Sequence, residues 1–172
     1  VSTVFHRAFK KGGKIENWSI LSLVSRFIAG AMGLEFFPTK SIIGSSMEKE
    51  NKDSFKVIED PFGGGEKVGL VKSLRPDLSI IHAWCADRSG NAIIVPPLGD
   101  SNFALHASKG GVILSAEKIV STEYIRQHAA MVRVPGHIVN AVVELPFGAH
   151  PSSHFGLYGE GYSEDLPFIV NM

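Results

Sequence analysis

Residues 76–91, PDLSIIHAWCADRSGN, constrain the fold of this chain more than any other stretch. Residues 78–84 form a mainly apolar run led in by Pro76, with the length and make-up of a strand buried on both faces of a parallel sheet. The run then breaks into Asp87-Arg88-Ser89-Gly90-Asn91, where every residue favours a turn. In open α/β sheets ligands gather outside the carboxyl ends of the strands, so polar groups leaving a buried strand mark the first place to expect a site.

The flanking sequence supplies alternating elements. Val4, Phe5, Ala8 and Phe9 fall at helical spacing ahead of Gly12-Gly13, and Asn17 is placed to cap a helix carrying Ile20, Leu21, Val24, Phe27, Ile28, Ala31 and Met32 on one face. Phe36-Phe37-Pro38 precede a small and polar, then charged, loop over 39–53, whose size marks it as functional or disordered. Runs at 55–58 and 68–74 around Asp60-Pro61-Phe62-Gly63-Gly64-Gly65 read as a hairpin. Further on come a short β run at 92–95, a helix capped by Asp100 or Ser101 and lasting to 108, and a strand at 112–115. A helix over 122–131 capped by Ser121 and a strand at 138–143 follow. Strands alternating with helices predict an α/β domain with an open, mostly parallel sheet flanked by helices. From Pro146 onward Gly, Ser, Pro and aromatics show no period, and an irregular surface segment is expected.

A chain of 172 residues suits a single domain over 1–172, burying about 70% of its unfolded surface. Seventeen basic and 17 acidic side chains cancel, which argues against nucleic acid or a membrane surface as partner. The lone Cys85 rules out an internal disulfide, fits a reducing compartment and reads as a buried structural thiol. With no signal peptide or spanning run, the expectation is a soluble, cytoplasmic protein. Phe36, Phe37, Phe147, Phe155 and Phe168 lie in segments without periodicity in a sequence that is 44% hydrophobic and 20% charged, predicting an apolar surface that needs a partner.

Several constellations suggest chemistry. His150 and His154 have a metal spacing, but Pro151 disfavours helix there and no third ligand accompanies them, so no metal is expected. Gly63-Gly64-Gly65-Glu66-Lys67 lacks the spacing and the hydroxyl of a phosphate loop and reads as a turn. Ser45 and Ser46 follow Gly44 without a hydrolase elbow. Glu117, just past the strand at 112–115, either reaches a site or serves as a turn charge, and Glu16 has the same ambiguity. His82, within the apolar strand, reads as a satisfied core histidine.

The succession ENWSI, LVSRFIAGAMGLEFFPTKSIIGSSM, EDPFGGGEKVGLVKSLRPDLSIIHAWCADRSGN, VILSAEKIV and VRVPGHIVNAVVELPFGAHPSSHFGLY resembles the A subunit of the glutaconate CoA-transferase type, among the family I CoA-transferases. PDLSIIHAWCADRSGN and PFGAHP are its most specific parts. The resemblance implies the CoA-transferase (NagB/RpiA-like) fold and a homologous B subunit, with the active sites at the A/B interface. It implies coenzyme A as a substrate thioester, with no permanently bound cofactor, attacked by a glutamate that the B subunit supplies. No catalytic nucleophile is then expected in this chain, which would be inactive alone. The family's N-terminal glycine-rich segment and its C-terminal end have no match, and the chain enters a helix from Val1 without an initiator methionine, so a fragment of the full subunit is expected. Met47 after Gly44-Ser45-Ser46 departs from the family pattern and points to an altered acyl preference. The expected substrate-binding residues are Ser45, Ser46, Asp87, Asn91, Gly148 and His150, with 87–91 and 147–150 converging at one sheet edge. The alternatives are a ring-opening hydrolase of CoA thioesters and a non-catalytic scaffold subunit.

Overall fold

The computed structural model describes residues 3–13, 15–96, 98–99, 101–150 and 154. The chain opens with α1 (Thr3–Lys10) and α2 (Ile20–Ala31), followed by strand β1 (Phe36–Thr39), the short helix α3 (Ser46–Glu50), β2 (Phe55–Glu59) and β3 (Lys67–Lys72). Next come β4 (Ser79–Ala86), β5 (Ala92–Ile93), α4 (Ser101–Ala107), β6 (Val112–Ile119), α5 (Thr122–Gln127), β7 (Val132–Val134) and β8 (Val139–Glu144). Among the described residues the strands form an antiparallel three-stranded sheet, order β1-β3-β2, and a five-stranded sheet, order β7-β5-β4-β6-β8.

The α/β class stands, and the larger sheet is mixed: β4, β6 and β8 run parallel, while β5 and β7 pair antiparallel. The tight turn at 87–91 returns the chain directly beside β4, and a tight turn can only produce an antiparallel neighbour. The expected hairpin forms between β2 and β3. Asp60 closes it by accepting from the amides of Phe62 (3.0 Å) and Gly64 (3.1 Å) with its side chain and from Gly63 (3.1 Å) with its carbonyl, so the amides of Gly63 and Gly64 serve the turn.

Four local readings change. The cap of α2 is Ser19, whose Oγ accepts from the amide of Ser22, and not Asn17, whose side chain reaches Glu50. The buried residues of α2 are Ser22, Ser25, Arg26 and Ala29, while Ile20 and Leu21 are exposed. Small residues let this helix pack closely on its neighbours: a Cβ on Gly30 would lie 2.5 Å from the Leu74 carbonyl. Phe36 and Phe37, expected in a segment without periodicity, belong to β1, because β3 offers them an antiparallel partner. The helix after Ser121 stops at Gln127, giving way to a 3-10 turn (Ala129–Met131) and the short β7.

The core lies on one face of the five-stranded sheet, where Ala83, Leu114 and Ala116 join Leu105 of α4. Cys85, Ile93 and Ile125 of α5 form a second buried cluster. The expectation that β4 is buried on both faces does not hold among the described residues. Ile80, opposite Ile113, is 77% exposed, and Val143, opposite Ser115, is 50% exposed. The reason is alternation: Ala83, Leu114 and Ala116 point into the core, while His82, Ser115 and Glu117 share the open face.

Candidate functional site

The open face carries the most developed polar arrangement. Strands β4 and β6 place His82 opposite Ser115, and Glu117, two residues on, stands on the same side. Glu117 lies inside β6 and not beyond its end, because the strand continues to Ile119. The His82 ring is held at both nitrogens: Nε2 is hydrogen-bonded to Oε1 of Glu117 at 2.7 Å, and Nδ1 to Oγ of Ser115 at 2.9 Å. The histidine and glutamate side chains are largely buried, at 14% and 12% exposure. Two residues whose roles are ambiguous when read separately therefore form one unit.

The chain leaving β8 folds onto this unit. The amide of Leu145 donates to the carbonyl of Ala116 (2.7 Å), and the amide of Phe147 donates to Oε2 of Glu117 (2.7 Å). Two further turns close through the amides of Gly148 to Leu145 (3.1 Å) and His150 to Phe147 (3.0 Å). Gly148 sits on the imidazole so closely that a Cβ there would lie 2.6 Å from Cε1 of His82. The ring of His154 meets His82 edge-on at 5.6 Å, so the second histidine of the spaced pair faces another side chain. No cluster able to hold a metal ion occurs among the described residues.

Asp87 and Asn91 are placed differently. Asp87 is fully buried, and its carboxylate accepts from the amides of Ser89 and Asn91 (both 3.0 Å) and from Nδ2 of Asn91 (3.0 Å to Oδ2). Asn91 Oδ1 accepts from the amide of Gly136 (2.9 Å), and Gly90 packs on Val139 at the start of β8. The turn at 147–150 follows the other end of β8. Strands β4 and β8 both run parallel to β6, so the two turns leave the same edge of the sheet, each packed through its own contacts.

Ser45 and Ser46 lie beside the smaller sheet, at the start of α3. Oγ of Ser45 donates to the carbonyl of Ile42 (2.6 Å), and Glu48 accepts from the amide of Gly44 (2.6 Å). Next to them opens a cavity of about 370 Å3 lined by Ile43, Gly44, Glu48, Val57 and Lys67 among others. Part of the expected loop over 39–53 is thus the helix α3. Ile42 (φ 64°) and Phe147 (φ 57°) are the non-glycine residues with left-handed backbone among those described, and each lies in one of these two segments. Such strain collects at functional sites because surrounding contacts must hold it in place. Of the aromatics expected at the surface, Phe36 and Phe147 are exposed; Phe155 and Phe168 lie outside the described residues.

A sequence model of the family described as Coenzyme A transferase matches residues 1–145. The A subunit of glutaconate CoA-transferase from Acidaminococcus fermentans is 34% identical over 184 residues, covering 98% of this chain and 56% of the relative. The crystal structure of that organism's glutaconate coenzyme A-transferase superposes with a TM-score of 0.84 over 98% of this chain and 56% of that one, at 33% identity. The A subunit of 3-oxoadipate CoA-transferase from Pseudomonas knackmussii is 35% identical over 145 residues, 84% of this chain and 50% of the relative. The structure of the decarboxylase AibA/AibB matches with a TM-score of 0.74 at 28% identity, over 90% of this chain and 55% of that one. The chain spans about half the length of these relatives.

Proposed function

The chain belongs to the coenzyme A transferase family, and on that premise we propose that it is the A subunit of a heteromeric CoA-transferase acting on small organic acids in the cytoplasm. The observation that carries this reading is the likeness to the A subunit of glutaconate CoA-transferase, which extends over 98% of the chain in sequence and in fold. Coenzyme A enters as a thioester and leaves on the acceptor acid, and the attacking carboxylate is a glutamate of a homologous B subunit. Covalent catalysis of this kind splits one transfer between two anionic partners into two easier steps.

The geometry of Glu117 supports a nucleophile from another chain. Both of its oxygens accept hydrogen bonds, from His82 and from the Phe147 amide, and an oxygen so engaged is badly placed to attack a carbonyl. The role of this chain is then to position substrate through 147–150, with Gly148 and His150, and through the loop bearing Ser45 and Ser46. Asp87 and Asn91 shape the sheet edge from their turn. The exposed apolar side chains Ile20, Leu21, Met32, Phe36 and Phe147 are suited to an interface with the second chain.

The test is co-expression with a B-type subunit from the same organism, followed by incubation with acyl-CoA and a panel of acids. Transfer requires both chains and an acceptor acid. Thioester loss without an acceptor indicates the hydrolase alternative. Carbon dioxide release indicates the chemistry of the AibA/AibB relative, whose similarity makes decarboxylation the second reading. Assembly with no turnover of any of these leaves a scaffold.

A further inference from the structure

We infer that Glu117, braced by His82, is a positioning residue that locks the turn at 147–150 into its left-handed conformation and thereby sets the binding of the acceptor acid. This inference rests on the transferase reading given above. Phe147 adopts a φ of 57°, a backbone conformation that a residue with a Cβ disfavours, so the turn needs an external restraint. That restraint is visible: the Phe147 amide is bonded to Oε2 of Glu117, and Oε1 of the same carboxylate is fixed by Nε2 of His82. Ser115 holds the other ring nitrogen, so the carboxylate and the ring cannot turn independently. The imidazole in turn forms the floor under Gly148, where no side chain fits. Residues from β4 and β6 thus dictate the backbone of a segment that follows β8, and that segment carries the exposed Phe147 and His150.

This role requires hydrogen-bonding geometry and not negative charge, which makes it separable from acid, base or nucleophile chemistry. A glutamine at 117 can accept from the Phe147 amide with its carbonyl and donate to His82 Nε2 with its amide. The histidine then carries its proton on Nδ1 and donates to Ser115. An alanine can do neither.

The experiment compares Glu117→Ala, Glu117→Gln and Gly148→Ala in the assembled heteromer, with steady-state kinetics in the acceptor acid and amide hydrogen exchange at Phe147. Glu117→Ala is expected to raise KM for the acid about tenfold with little change in kcat, the loss typical of one hydrogen bond to a charged group, and to speed exchange at Phe147 by at least as much. Gly148→Ala displaces the turn from His82 without touching Glu117 and is expected to give the same KM effect, which covers the case of an alanine variant at 117 that does not fold. Glu117→Gln is expected to restore KM to within about threefold of the parent. Abolition of turnover by Glu117→Gln would overturn the inference, since it would show that the charge takes part in the chemistry. Unchanged exchange at Phe147 in Glu117→Ala would overturn it as well. If the parent heteromer transfers CoA to no acid, the transferase reading fails, whereas the exchange measurement still decides whether Glu117 locks the turn.

Discussion

The turns at 87–91 and 147–150 both leave strands of the five-stranded sheet, yet they are stabilised in opposite ways. The first is closed from within: the buried Asp87 carboxylate accepts from two amides and a side chain of its own five residues, Gly90 supplies the positive φ of 87°, and the outside contact is Asn91 with the Gly136 amide. In the second the strained residue is a phenylalanine, and the carboxylate that anchors it, Glu117, lies 30 residues away in sequence. A turn that satisfies its polar groups with its own side chains has few of them left for a ligand. A turn anchored by a side chain from another strand takes part of its restraint from outside, so its conformation depends on a residue distant in sequence.

The contrast predicts that damage to the first turn is read in stability and damage to the second in activity. Asp87→Ala removes a buried acceptor and strands the amides of Ser89 and Asn91, so a loss of about 3 kcal/mol in unfolding free energy is expected in chemical denaturation. A melting curve superimposable on the parent would show that the carboxylate is not the turn's anchor and would weaken the comparison. Phe147→Gly should act with the opposite sign. Glycine accepts the left-handed backbone without penalty, so stability should hold or rise by about 1 kcal/mol even as the exposed ring is lost, while acceptor selectivity in the assembled enzyme falls. A variant less stable than the parent would show that the ring is structural.

The same contrast explains what can be read from the sequence. The first turn is written in adjacent residues, Asp-Arg-Ser-Gly-Asn, and its chemistry is local. The hairpin around 60–65 and the Ser121 cap are legible for the same reason: each is made by residues close in the chain. The His82–Glu117 pair is not local. Each residue has an ordinary structural meaning by itself, and only the parallel register of β4 on β6 brings them together. One signal is present: in 112–119, VILSAEKI, the polar Ser115 and Glu117 alternate with buried Leu114 and Ala116, which marks a strand with one polar face and extends it past Ser115. For α2 the periodicity selects the wrong face, because Ile20 and Leu21 lie outward while Ser22, Ser25, Arg26 and Ala29 are buried. Helical spacing identifies a face without saying what lies against it.

Cys85 sits in β4 just before the first turn and gives a smaller, independent measure of how closed that end of the sheet is. It is buried with Ile93 and Ile125, and burial pushes its thiol up from its ordinary value, with Lys118 opposing in part. Because the thiolate is the reactive form, labelling of the native protein by a thiol reagent is expected to be slow and to become fast only on unfolding. Asp87→Ala should accelerate it if the turn and the second core cluster open together. Rapid labelling of the parent would show the turn to be far looser than its hydrogen bonds indicate.

The smallest effect concerns His106, which lies in α4 and sets the pH background against which the two turns must be compared. Partial desolvation of this exposed side chain, and then the neighbouring His137, lower its pKa below the ordinary 6.5. Near pH 7.5 it is neutral in folded and unfolded chains alike and contributes nothing to stability. As pH falls through 6.5 the unfolded chain takes up the proton first, so stability declines until the lowered folded value is passed and both forms are charged. His106→Gln should therefore melt like the parent at about pH 7.5 and lose less stability than the parent as pH falls below 6.5. Equal losses in the two proteins would place the acid sensitivity elsewhere. A larger loss in the variant would mean that the protonated imidazole is favoured by the fold, reversing the sign of the argument. Adding His106→Gln to both Asp87→Ala and Phe147→Gly removes its contribution from each. Any pH dependence left between those two variants would then belong to the turns themselves.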